Sequence, residues 1–220
     1  PSGVQEAFNL TVLAFELADN YRNPVMILSD AFLGQMAEPV QIKRKSRIKQ
    51  GAKKKDWALT GAFKRKPNII RSLFLGEGIL EKHNEVLQKK YRSMKKNEVR
   101  YQVENVEDCE ILLVAYGISF RIAKGITGIL KKFNIKAGIF RPVSLWPFPY
   151  EQLRKHAEDK RAVFVFELSA GQMVEDVRLA LGKDLAVHFF GRLGGGVFGE
   201  EELVNFILRR MKNEKKEIRT

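Results

Sequence analysis

Four unbroken apolar runs, at residues 111–115, 137–140, 162–166 and 186–190, punctuate the second half of the chain. Between and after them, apolar positions recur at three- and four-residue spacing over about 119–133, 150–158, 171–181 and 200–211. A strand buried on both faces reads as a continuous apolar run, whereas a strand with one wet face alternates. These four runs therefore predict strands of a sheet covered on both sides, and their alternation with helices predicts parallel pairing. The expected fold is α/β, a three-layer sandwich around a mostly parallel sheet, over residues 100–220.

The first hundred residues are less regular. Ser2 and Gln5 have the spacing of a capping box. Val4, Phe8, Val12 and Phe15 then share one helical stripe while Leu10, Leu13 and Leu17 fill another, which predicts a helix to about Tyr21 that is apolar on most of its surface and covered on both sides. Pro24 halts helical propagation, and Val25–Leu28 reads as a short buried strand of the parallel-sheet kind. Ser29 and Asp30 follow at its carboxyl end, where open α/β sheets place ligand-binding residues. From Gln41 to about Ile69 the periodicity lapses around Gly51, Gly61 and Pro67, the pattern of a loop. Ile79, Leu80, His83, Val86, Leu87, Tyr91 and Met94 trace an amphipathic helix with outward lysines. The division is a first unit over 1–40, a basic linker plus bridging helix over 41–99, and the α/β domain over 100–220.

Composition narrows the classes. With 45% hydrophobic and 30% charged residues the chain is globular, no run approaches the roughly 18 apolar residues of a membrane span, and no signal-peptide order is visible. A cytoplasmic protein is expected. Pro1 in place of Met, followed at once by a helix, reads as a chain that begins partway into a larger fold. The single cysteine, Cys109, excludes an internal disulfide and a four-cysteine cluster within this chain. His83, His156 and His188 have no metal-ligand spacing, so no metal site is expected here. The net charge of +13 is uneven: Lys43 to Lys55 holds eight Lys or Arg and no acid. Such a run attracts anions, but it lacks the interleaved aromatics that stack on bases, so nucleic acid is disfavoured and a solvated loop preferred.

Candidate chemistry is sparse. Gly117 joins a strand to a helix, a place where backbone amides can meet an anion, yet Tyr116-Gly117-Ile118-Ser119 lacks the dinucleotide fingerprint. Gly191, Gly194, Gly195, Gly196 and Gly199 crowd Arg192. They suit either an anion-holding loop, with Gly117, Arg192 and Gly194 as its candidates, or a turn that reaches a neighbouring subunit. Glu167 and Ser169 end a strand; without a second carboxylate, nucleophile or metal ligand beside it, Glu167 reads as a structural acceptor rather than an acid or base. Arg141-Pro142 and Trp146-Pro147-Phe148-Pro149 make a stiff apolar loop suited to packing on another surface. Arg141, Trp146, Pro147 and Phe148, with Gly171, Gln172 and Met173, are therefore the interface candidates. No catalytic residue is assigned.

Several stretches, in order along the chain, carry a family resemblance: RNPVMILSDAFLGQMAEPV at 22–40, DWALTGA at 56–62, NIIRSL at 68–73, LEKHN at 80–84, VAYG at 114–117, FRPVSLWPFP at 140–149, ELSAGQMVEDVRL at 167–179 and GRLGG at 191–195. Together they resemble the large, alpha-type subunit of 2-oxoacid:ferredoxin oxidoreductases, and DAFLGQMAEPV, DWALTGA and LEKHN look most like the 2-oxoisovalerate, branched-chain type. The resemblance implies that residues 1–40 end a thiamine pyrimidine-binding domain and that 100–220 form a transketolase C-terminal-like domain. It also implies thiamine diphosphate, Mg²⁺ and iron–sulfur clusters in the full complex, with ferredoxin and coenzyme A as reaction partners and a diphosphate-binding and an iron–sulfur subunit alongside. The family's cofactor-activating glutamate is expected upstream of Pro1 and its diphosphate motif on a separate chain. No cofactor is then expected on this chain alone, whose part is structural and interface-forming. The run Lys43–Lys55 departs from the family pattern, and a basic nucleic-acid-associated or anion-binding module is the alternative.

Overall fold

The computed structural model describes residues 1–42 and 55–217. The basic run thus lies outside the described residues except for Lys55, whose Nζ sits 2.7 Å from the Asp19 carboxylate. Helices α1 (Val4–Tyr21), α2 (Ala31–Gly34) and α3 (Ile79–Asn97) precede strands β1 (Tyr101–Glu104), β2 (Ile111–Ala115), β3 (Ala137–Pro142), β4 (Ala162–Glu167) and β5 (Ala186–Gly191). Helices α4 (Gly117–Lys132), α5 (Tyr150–Ala157), α6 (Met173–Leu181) and α7 (Glu200–Glu217) alternate with the last four strands.

The strands form one sheet in the order β1-β3-β2-β4-β5. All neighbours are parallel except β1, which runs antiparallel to β3 along the edge. Successive side chains of a strand point to opposite faces, so every residue of the central β2 meets a core. Ile111, Leu113 and Ala115 pack under α4 and α7 with Phe120, Ile126, Leu203 and Ile207. Leu112 and Val114 pack under α5 and α6 with Leu153, Val174 and Val177. Two cores on one sheet make the three layers that the unbroken apolar runs predict.

The first forty residues depart from expectation in three places. Gly3, not Ser2, is the N-cap of α1, and it makes no side-chain cap bond. Ser2 instead directs its amide and hydroxyl to Glu6, at 2.7 and 3.0 Å, because the carboxylate offers both donors a charged acceptor. Helix α1 has no buried residue, and Phe15 is 72% exposed. Val25–Leu28 is not a strand. Local apolarity marks a segment fit for burial, but a strand also needs a neighbour for its backbone groups, and the described residues supply none here.

Candidate functional site at the carboxyl edge of the sheet

Strand β2 connects through α4 to β3 on one side, whereas β4 connects through α6 to β5 on the other. The loops after β2 and β4 therefore diverge and leave a crevice at the switch point, the usual ligand position of open α/β sheets. Here the chain's own Ser29–Asp30 turn enters it. Asp30 Oδ1 accepts from the Leu33 amide at 2.7 Å and caps α2. Its Oδ2 accepts from the Ile118 amide at 3.0 Å, in the first turn of α4. Gly117 has φ +59°, and a Cβ there would sit 2.9 Å from Asp30 Oδ2, so glycine is what admits the carboxylate. The anion beside Gly117 is thus a side chain of the same molecule. A cavity of about 200 Å³ is left, lined by Leu28, Ser29, Tyr116, Ser119 and Leu168. Burial, and then the charges of Glu167 and Asp30, push the Tyr116 hydroxyl pKa up.

Glu167 is fully buried at the end of β4. Its Oε1 accepts from the Val174 amide at 2.8 Å, and its Oε2 accepts from the Met173 amide at 2.9 Å and the Ser169 hydroxyl at 3.0 Å. Those amides belong to the first turn of α6, where orphan donors and the helix dipole both favour a carboxylate. Gly171 precedes them at φ +107°, where a Cβ would crowd Val174 and Phe189. Met173 is buried in the core, and Gln172 is exposed.

Arg141, on β3, ties the start of the chain to the sheet. Only 4% exposed, it donates to Ser2 Oγ at 3.0 Å and Gln102 Oε1 at 2.9 Å, pairs with the Glu6 carboxylate, and lies over the Phe120 ring at 4.9 Å. Burial of the Glu6 carboxyl acts to raise its pKa, but the bonds from Arg141 and Ser2 outweigh it and hold the group below its usual range. A largely apolar cavity of about 420 Å³ lies beside this junction, walled by Leu13, Leu17, Met26, Met94 and Val143. Trp146, joined to Pro147 by a cis peptide, is 56% exposed and edge-on to Tyr91. Pro147 and Phe148 are buried. At the far end Arg192 pairs with Glu202, and Gly194 is exposed.

The histidines are spread across the fold: His83 stacks on Phe74, His156 lies near Tyr101 and Phe140, and His188 near Phe164. Burial pushes the Cys109 thiol pKa up. Asp30, Glu167 and Glu6 are each engaged by backbone amides, hydroxyls or an arginine. That arrangement locks segments together, because a carboxylate already filled by permanent donors has little free capacity to exchange protons with a substrate. Asp30 carried a signal in the sequence, as a polar residue ending an apolar run. Glu6 and Gln102 carried none.

Residues 1–108 match the family model described as pyruvate flavodoxin/ferredoxin oxidoreductase, thiamine diP-bdg, and residues 109–203 match pyruvate:ferredoxin oxidoreductase core domain II. The ketoisovalerate oxidoreductase subunit VorB of Methanothermobacter marburgensis is 44% identical over 94% of this chain. The chain belongs to the 2-oxoacid:ferredoxin oxidoreductases. Within that family, the 2-oxoglutarate synthase subunit KorA of Archaeoglobus fulgidus is 30% identical over 88% of the chain. The chain spans 58% of the length of the first relative and 56% of the second. A solved 2-oxoglutarate:ferredoxin oxidoreductase from Magnetococcus marinus, with 2-oxoglutarate, coenzyme A and succinyl-CoA bound, shares the fold. It superposes with a TM-score of 0.70 at 21% identity, covering 95% of this chain and 41% of that one.

Oxidoreductases of this family use thiamine diphosphate, and the described residues of this member do not fit that group unaided. No cluster of three or more His, Cys, Asp or Glu is present among them to hold Mg²⁺. The α4 terminus, where a diphosphate would find amides, already holds Asp30.

Proposed function

We propose that this chain is part of the large subunit of a branched-chain 2-oxoacid:ferredoxin oxidoreductase, and that it supports the oxidative decarboxylation of a 2-oxoacid to an acyl-CoA without supplying reacting groups. The observation that carries the substrate class is the 44% identity to a ketoisovalerate oxidoreductase subunit against 30% to a 2-oxoglutarate synthase subunit. The non-catalytic role rests on the edge of the sheet, where Asp30 and Glu167 hold helices. Thiamine diphosphate with Mg²⁺ would supply the carbanion chemistry in the assembled enzyme, and iron–sulfur clusters on partner chains would carry electrons to ferredoxin. The exposed Trp146 and Gln172, with Gly171, are the positions we assign to contacts with the diphosphate-binding and iron–sulfur subunits. The division at residues 40 and 99 and a cytoplasmic location belong to the same reading. No helix among the described residues is long and apolar enough to cross a membrane. The alternative of a nucleic-acid-associated or anion-binding module gains no support from the family matches.

The test is an assay of the complex assembled from full-length chains, with a low-potential dye as acceptor and coenzyme A present. Reduction with 2-oxoisovalerate at least tenfold faster than with 2-oxoglutarate is the expected result, and the reverse order would sink the branched-chain assignment. Calorimetry on this chain alone should show no thiamine diphosphate binding at micromolar concentration; tight binding would overturn its non-catalytic role.

A further inference from the structure

Along α3, Lys89, Arg92 and Lys96 recur at three- and four-residue intervals and all are exposed, on the side opposite Leu87, Tyr91 and the buried Met94, with Glu85 one turn ahead of Lys89 at the start of the same face. None of these three side chains has an ion-pair or hydrogen-bond partner among the described residues, and no acid lies between Glu85 and Glu98. Exposed Lys131, Lys132 and Lys136 likewise make no ion pair among the described residues but do not line one helix face with Arg, whereas several other surface cations are paired. Arg121 pairs with Glu38, Lys124 with Glu104, Arg178 with Glu175 and Arg192 with Glu202. Like charges three and four residues apart repel along a helix, and only Lys95 and Lys96 sit in the last turn, where the helix dipole favours them. The unpaired stripe is thus a local cost that an anionic partner would remove.

The composition of the stripe selects the kind of partner. Permanent interfaces are depleted of charge at their centres, whereas transient contacts with electron carriers are small and are guided by complementary charge. Resting on the oxidoreductase reading above, we propose that the outward face of α3 captures the small acidic electron-carrier protein that accepts the enzyme's electrons. The face acts in encounter, ahead of transfer from a cluster held elsewhere.

The experiment uses the complex assembled from full-length chains and compares wild type with Lys89→Glu/Arg92→Glu/Lys96→Glu and with the milder Lys89→Gln/Arg92→Gln/Lys96→Gln. Each is assayed with an acidic ferredoxin and with a viologen dye, across a salt series. At low salt kcat/KM for ferredoxin should fall at least about tenfold in the glutamate variant and less in the glutamine variant. The difference should close by about 0.5 M salt, where the screening length is a few ångströms. Dye reduction should be unchanged in both, which also shows that the variants fold and assemble. Unaltered ferredoxin kinetics at low salt would overturn the proposal, as would loss confined to binding of duplex or single-stranded nucleic acid. A wild-type complex that reduces neither acceptor with any 2-oxoacid would instead overturn the oxidoreductase reading itself.

Discussion

At the end of β4, one carboxylate answers two amides and a hydroxyl, and Glu167→Leu would leave the Met173 and Val174 amides without acceptors in the core. Buried donors without partners cost about 1–3 kcal/mol each, so with two amides the variant should lose about 2–6 kcal/mol in urea unfolding. Glu167→Gln, which keeps one acceptor oxygen, should lose less. A second carboxylate acts on a tyrosine. The bond from the Tyr150 hydroxyl to Asp176, reinforced by burial, pushes the tyrosine pKa up to about 12 from its ordinary 10. A folded value above the unfolded one means that this bond stabilises fully below pH 10 and is lost as pH climbs through about 12. The stability difference between wild type and Tyr150→Phe should accordingly be flat up to pH 10 and shrink beyond it. A difference that already shrinks near neutral pH would contradict the assignment.

The Arg141 pair with Glu6 ties helix α1 to the sheet, and that tether has a pH window. Because Glu6 titrates below its ordinary 4.5 when folded, its contribution is complete above that pH and is lost as the solution becomes more acidic. Amide exchange in α1 should therefore accelerate below about pH 4.5, before exchange in β2 and β4 does, and Glu6→Gln should show the fast rate already at neutral pH. The elements themselves were legible to different degrees. Strands buried on both faces announce themselves, since β2, β3 and β4 have little but apolar residues to place on either side, and the equally apolar β5 is legible too although it is an edge strand and only half-buried. Strand β1, Tyr-Gln-Val-Glu, is short and half polar, and nothing local separates it from a loop. Val25–Leu28 fails in the opposite sense: its apolarity is real, but strand formation depends on a neighbour that composition cannot reveal. The Asp30–Ile118 and Glu6–Arg141 pairs join residues 88 and 135 positions apart, a separation that no periodicity encodes.

The surface is split between charge and exposed apolar groups. Leu59, Phe63, Ile69, Leu73 and Leu75 are 67–86% exposed in the irregular stretch before α3, and Phe15 adds to them on α1. Patches of this kind mark contacts with other chains, while the net charge of +13 keeps copies apart. The chain alone should therefore stay dispersed at low ionic strength and self-associate as salt screens the repulsion. Sedimentation across a salt series checks this, and co-expression with the other subunits should abolish the effect.

Strand β1 also decides where this protein can be cut and rejoined. The two family models meet between residues 108 and 109, yet the β1–β3 ladder, from Tyr101↔Pro142 to Glu104↔Ile139, crosses that line. A chimera spliced at 108 would inherit one side of the ladder from each parent and need the two to agree residue by residue. A splice just ahead of residue 100 would carry the whole sheet from one parent, so the workable crossover lies in the turn after α3.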